Sequence, residues 1–203
     1  MELLSLRELI SSLWLQEVIN IMGNSISDFK IGDKVTSEFD GITRELIIQY
    51  GNSSGDTNPI HMRDEVAERV GLKGVIAHGL LSFGFIVKLL GELVKDTGKI
   101  VKTFGEMRGQ VRPGDKLITE LTVKSIDGNV VSYDILQKTI TKVKIENEEG
   151  KLVESFEAEE KGWISEKDIN LNLVKTREIE GQGILTYRER PCILGSASIQ
   201  LNS

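Results

Sequence analysis

Cysteine and histidine are both scarce: the 203-residue chain has a single cysteine, Cys192, and two histidines, His61 and His78. One thiol excludes an internal disulfide and fits a reducing cytoplasm. With so few nitrogen and sulfur donors, a zinc site would have to be built mostly from carboxylates, so neither a metal nor another cofactor is expected. Basic charge is short as well, with 25 Lys and Arg against 31 Asp and Glu for a net charge of -6. A nucleic-acid surface needs clustered cations, and no such cluster is visible. Long apolar runs are also missing. The most apolar segment, Leu80 to Val94, falls short of the ~20 residues that cross a bilayer, so no membrane partner is expected.

At 39% hydrophobic residues, the chain can bury one core and is short for two. We read three parts: an N-terminal extension over 1–27, a domain over 28–162 and a C-terminal extension over 163–203. In the first part Ser5 and Glu8 form a capping-box pair. Leu6, Leu9, Ile10, Leu13 and Val18 then recur at helical spacing, predicting an amphipathic helix over Leu6 to Ile21. Glu2 leads where a secretory signal wants basic residues. Met22 is a second candidate start, and Met22-Gly23-Asn24-Ser25-Ile26-Ser27 formally fits a myristoylation pattern, which chance recurrence of short motifs explains.

From Asp28 the pattern is regular. A short strand spans Val35 to Phe39, and Thr43 caps a helix carrying Leu46, Ile47 and Tyr50 on one face. Pro59 ends helical geometry before it, which leaves Asp56 in a loop. A second helix, Met62 to Val70, starts beside His61 and stops at Gly71 as a left-handed cap. Leu80 to Val94 is apolar round most of its circumference and reads as a helix buried on nearly all sides. Beyond Gly98 the period changes to two. Strands are predicted over Ile100 to Val111, from Leu117 to Val123 and from Val131, the last two joined at Asp127-Gly128-Asn129. A phase slip near Leu136 suggests a bulge, and a weak final strand covers Lys151 to Ala158. The order describes an α+β layer, a curved antiparallel sheet wrapped around one buried central helix.

Both histidines fall in one stretch, Ser54-Gly55-Asp56-Thr57-Asn58-Pro59-Ile60-His61 followed by Gly74-Val75-Ile76-Ala77-His78-Gly79-Leu80-Leu81-Ser82. Asp-Thr-Asn-Pro alone is an ordinary Asx turn. Beside His61 and a glycine that opens an apolar helix, it becomes an inventory for proton transfer next to a carbonyl. Asp56 and His61 can share the proton work, and the Gly79 amide, at the positive end of a helix, can stabilise an oxyanion. Asn58, His78 and Ser82 complete the candidate set as substrate-binding positions. Asn58 reads as a loop orienter, and His78 as a residue that caps or packs.

These motifs, with Tyr50-Gly51-Asn52-Ser53 ahead of them and Arg112-Pro113-Gly114-Asp115 downstream, resemble the MaoC-like hot-dog family, the (R)-specific enoyl-CoA hydratases and 3-hydroxyacyl thioester dehydratases. The match runs from about Asp28 to about Gly162. The resemblance implies a hot-dog fold and reversible hydration of trans-2-enoyl thioesters of coenzyme A or acyl carrier protein. It also implies Asp56 and His61 as the catalytic pair, Gly79 as the oxyanion glycine and a homodimer or higher homo-oligomer. Some members carry a serine two turns along the central helix, where this chain has Val87. Lys73, Arg63, Arg112 and Lys116 either meet coenzyme A phosphates or are solvated surface charge. The alternatives are a hot-dog acyl-CoA thioesterase and a non-catalytic acyl-binding or heterodimer subunit. The tail from Trp163 reads as a loosely structured extension, with an arm covering a dimer as one reading.

Overall fold

In a computed structural model, residues 25–202 are described. The expected helix over Leu6 to Ile21 lies outside them. The chain runs β1 (Lys34–Asp40), α1 (Arg44–Ser54), α2 (Pro59–Met62), α3 (Asp64–Arg69), α4 (Gly79–Leu93), β2 (Gly98–Met107), β3 (Lys116–Asp127) and β4 (Val130–Glu146). It continues through β5 (Leu152–Ser155), α5 (Glu157–Glu160), α6 (Glu166–Asn170), β6 (Val174–Ile179) and β7 (Gly183–Leu201). The main sheet is antiparallel in the order β1-β3-β4-β7-β2, with β5 added to β4 and β6 to β7. It is the hot-dog arrangement, a sheet curved over one apolar helix.

α4 supplies Leu81, Ile86, Leu89, Leu90 and Leu93 to a core completed from the sheet by Leu117, Leu121, Val131, Tyr133, Ile135, Ile193 and Ile199. Gly105 of β2 pairs with Gly195 of β7 beneath Phe83 of α4. A side chain at Gly105 would sit 2.7 Å from the Phe83 ring, so the close approach depends on glycine there.

Three expectations change. First, residues 163–203 are no loose extension: β7 occupies the middle of the sheet, between β4 and β2, and the core cannot close without Ile193, Ala197 and Ile199. Second, α4 is not covered all round. Leu80 is 64% exposed and Val87 36%, and with the exposed Gly84 and Gly91 they form an open stripe. Third, β4 keeps strict alternation through the apparent slip, so Gln137, Thr139 and Thr141 point inward and are buried. The irregularity sits in the partner strand: Gln137 pairs with Ile193 and Lys138 with Pro191, leaving Cys192 as the extra residue. Pro191 is tolerated because β2 has already ended opposite Ile193, so no ladder donor is required of it on that side.

Smaller differences are local. The helix expected over Met62 to Val70 is two pieces, because Arg63 is extended (φ -142°) and serves as C-cap of α2 and N-cap of α3. β2 stops at Met107, where the Arg108 and Gly109 amides both turn to the Cys192 carbonyl. β5 ends at Ser155, and α5 follows at once.

Candidate active site

The site lies where α1, the proline loop and the start of α4 meet. Gly55, in the left-handed conformation (φ 78°), ends α1 and turns the chain into the loop. There the Asn58 amide donates to Asp56 Oδ1 at 3.3 Å, an Asx turn. Asn58 caps the next helix by accepting from the Ile60 amide, and Pro59 occupies its first position, where its missing donor costs nothing. His61 therefore sits within this short helix and points back toward Asp56.

One carboxylate oxygen of Asp56 and one ring nitrogen each of His61 and His78 lie within 4.8 Å of one another. His61 Nδ1 is 2.8 Å from the Ile76 carbonyl. A carbonyl only accepts, so this nitrogen carries the hydrogen, and in the neutral ring the lone pair is on Nε2. His78 Nε2 likewise donates to the Asp56 carbonyl at 2.8 Å. Its ring stacks on His61, with centroids 3.9 Å apart at 30°, and tilts against Tyr50 at 4.9 Å. Burial pulls the His78 pKa below its ordinary value despite the Asp56 carbonyl, and the neighbouring His61 adds to that fall. One nitrogen of each ring is engaged by a main-chain carbonyl, which leaves the other nitrogen and the Asp56 carboxylate as the groups able to exchange a proton.

The sequence-derived residues are distributed as follows. Asp56 and His61 come together. His78 packs against both and makes no side-chain cap for α4. Gly79 opens α4 at an exposed position, backed by Met107, and its amide is in the first turn, where a helix has no internal acceptor for it. Asn58 orients the loop. Ser82, in the first turn of α4, is 2% exposed, and its Oγ has no hydrogen-bond partner. Arg112 is a correction, being only 5% exposed and committed to protein carbonyls, which removes it from the residues able to meet a phosphate. Lys116 pairs with Glu38 across the sheet.

Two contributors escaped the sequence reading. Gln137, wholly buried, donates through Nε2 to the Ser82 carbonyl (3.1 Å) and to Thr119 Oγ1 (2.9 Å), tying the first turn of α4 to the sheet. Gly51 lets α1 lie against the loop: a Cβ there would be 3.0 Å from the Asp56 carbonyl oxygen and 3.3 Å from His78 Cε1. A glycine in mid-helix was the available signal.

The MaoC like domain family model matches residues 28–147. This chain belongs to the MaoC-like family. It is 33% identical over 110 residues to the (R)-specific enoyl-CoA hydratase of Rhodospirillum rubrum, a match covering 53% of this chain and 76% of that protein. It is 32% identical over 84 residues to the 3-hydroxybutyryl-CoA dehydratase of Methylorubrum extorquens, covering 41% of this chain and 52% of that one. Among solved structures, the R-hydratase PhaJ1 of Pseudomonas aeruginosa superposes with a TM-score of 0.55 at 18% identity, over 88% of this chain and 85% of that one. The shared class is an enzyme one, hydratase or dehydratase. The MaoC-like match stops at residue 147, and residues 148–182 link β4 to β7, its neighbour in the sheet. Among the described residues, no helix is long and apolar enough to cross a membrane.

Proposed function

We propose that this MaoC-like enzyme hydrates trans-2-enoyl thioesters, of coenzyme A or acyl carrier protein, to (R)-3-hydroxyacyl thioesters, and catalyses the reverse dehydration. The observation that carries the reading is the convergence of Asp56 and His61 beside the exposed amide that opens α4. A water between the two side chains loses a proton to the pair as its oxygen bonds to Cβ, and the pair returns a proton to Cα. Negative charge that builds on the thioester oxygen meets the Gly79 amide and the positive end of α4.

An apolar cavity of about 240 Å³ between β1, α1 and α4 supports an acyl substrate. Phe39, Leu46, Tyr50, Leu81, Gly84 and Phe85 line it, and Tyr50 also touches His78, so the cavity adjoins the catalytic trio. Its size suits a short aliphatic chain. A dimer is part of the proposal. The edge strand β2 carries Phe104, 51% exposed, with the bulged Val101, and ends in Met107 beside Gly79, so a second copy joined there stands next to the oxyanion amide. The free, buried Cys192 supports a cytoplasmic setting.

The test is loss of the conjugated absorbance of crotonyl-CoA, with free thiol followed in the same sample. The wild type consumes the enoyl thioester without thiol release, which separates hydration from thioester hydrolysis. Asp56→Asn and His61→Ala each lower kcat ~100-fold or more. Near-normal turnover in both variants rejects the assignment.

A further inference from the structure

His61 owes its tautomer to the Ile76 carbonyl, and Ile76 belongs to an irregular segment, Leu72 to His78, that has no helix or strand of its own. Its backbone is unusual: Lys73 sits at φ 56° and Gly74 at φ 112°. A non-glycine residue at positive φ persists only where its surroundings enforce it. Three successive carbonyls show what does so. Arg112 donates to the carbonyls of Leu72 and Gly74, and Trp163 Nε1 donates to that of Lys73 at 2.7 Å. The Arg112 guanidinium lies over the Trp163 ring, 4.6 Å from its centroid, and both residues are buried. Lys73 Nζ returns a bond to the Gly162 carbonyl at 2.7 Å. On the following turn, the Val75 amide donates to Asp64, which is itself paired with Arg44 and Lys161.

Trp163, Gly162 and Lys161 all lie in the link between β4 and β7, so this link grips the stretch of chain that supplies the His61 Nδ1 acceptor. We propose that Trp163 is a positioning residue for His61, acting with Arg112 to hold the Leu72–Ile76 backbone so that the Ile76 carbonyl receives the His61 Nδ1 hydrogen. The inference rests on the catalytic role proposed for His61, although its geometric half can be measured without activity.

Trp163→Phe keeps a ring beneath Arg112 and removes only the indole donor. Lys73→Gly, at an exposed position whose φ suits glycine, removes the bond to Gly162 without burying or exposing anything large. Nitrogen-15 correlation spectra of the two histidine rings report the His61 tautomer. The wild type shows the Nδ1–H form and Trp163→Phe a mixture, while kcat on crotonyl-CoA drops about tenfold and KM moves less than about twofold. Lys73→Gly shows the same changes in smaller degree, and it decides the matter if Trp163→Phe does not unfold cooperatively. Wild-type tautomer and wild-type kcat in the folded variants overturn the proposal. A tautomer change in a protein without hydratase activity would instead sink the catalytic reading and leave the positioning role standing.

Discussion

Gly51→Ala sets two effects of known sign against each other. The residue lies inside α1 with an ordinary helical backbone, so alanine would raise helix stability by about 1 kcal/mol if nothing else were touched. Its Cβ would, however, stand 3.0 Å from the Asp56 carbonyl oxygen, 3.1 Å from Met62 Sδ and 3.3 Å from His78 Cε1. The thioether can swing away. The carbonyl cannot do so freely, because it is main chain and already accepts from His78 Nε2 at 2.8 Å. Inserting a methyl into such a contact costs about 1–3 kcal/mol, so the net stability change is a loss of about 0–2 kcal/mol. At about 2–4 °C per kcal/mol for a chain of this size, the melting temperature falls by about 8 °C at most. Activity responds differently, because the relief is a shift of the loop that carries Asp56, and misplacement by a fraction of an ångström to 1 Å costs up to about 100-fold in kcat. Thermal melts and crotonyl-CoA hydration on the same preparation separate the two. A melting temperature raised by several degrees with full turnover would refute the claim that glycine is there for the approach of loop and imidazole.

Two further outcomes are expected. Burial alone would raise the Asp64 pKa, but hydrogen bonds from the Val75 amide, Arg44 and Lys161 bring it down to about 2 from 3.8. A depressed folded pKa contributes stability that is present above about pH 4 and lost as pH falls toward 2. The difference in urea midpoint between wild type and Asp64→Asn therefore shrinks from pH 6 to pH 3, and a constant difference would contradict it. Phe104→Lys, on the outer face of β2, places a charge on the proposed dimer seam and gives monomers by sedimentation. An unchanged dimer would place the seam elsewhere.

Much of the fold was legible because its signals are short-range. Thr43 caps α1 by accepting from the Leu46 amide, Gly71 follows α3 with positive φ, and the alternation of β3 and β4 flanks their Asp127-Gly128-Asn129 turn, all near the expected places. The tail was misread because nothing local distinguishes a central strand from an extension. β7 has a proline, a cysteine and small residues where an isolated strand would want branched ones, and its place comes from pairing with β4 and β2. Gln137, Thr139 and Thr141 broke the apolar pattern of β4, yet they face inward because distant partners satisfy some of them: Ser82 and Thr119 for Gln137, Arg188 for Thr141.

The sequence by itself determined the family motif, the pairing of a carboxylate with an imidazole across a proline turn, and the glycine that opens an apolar helix. The last two are set by residues within one or two turns of one another, where backbone sterics and capping decide geometry. Only the tertiary structure decided that β7 completes the sheet, that Arg112 is buried rather than solvated, and that Trp163 grips the segment behind His61. Those depend on which distant groups meet in a medium that excludes water, where an unpaired polar group is costly and most buried donors find an acceptor.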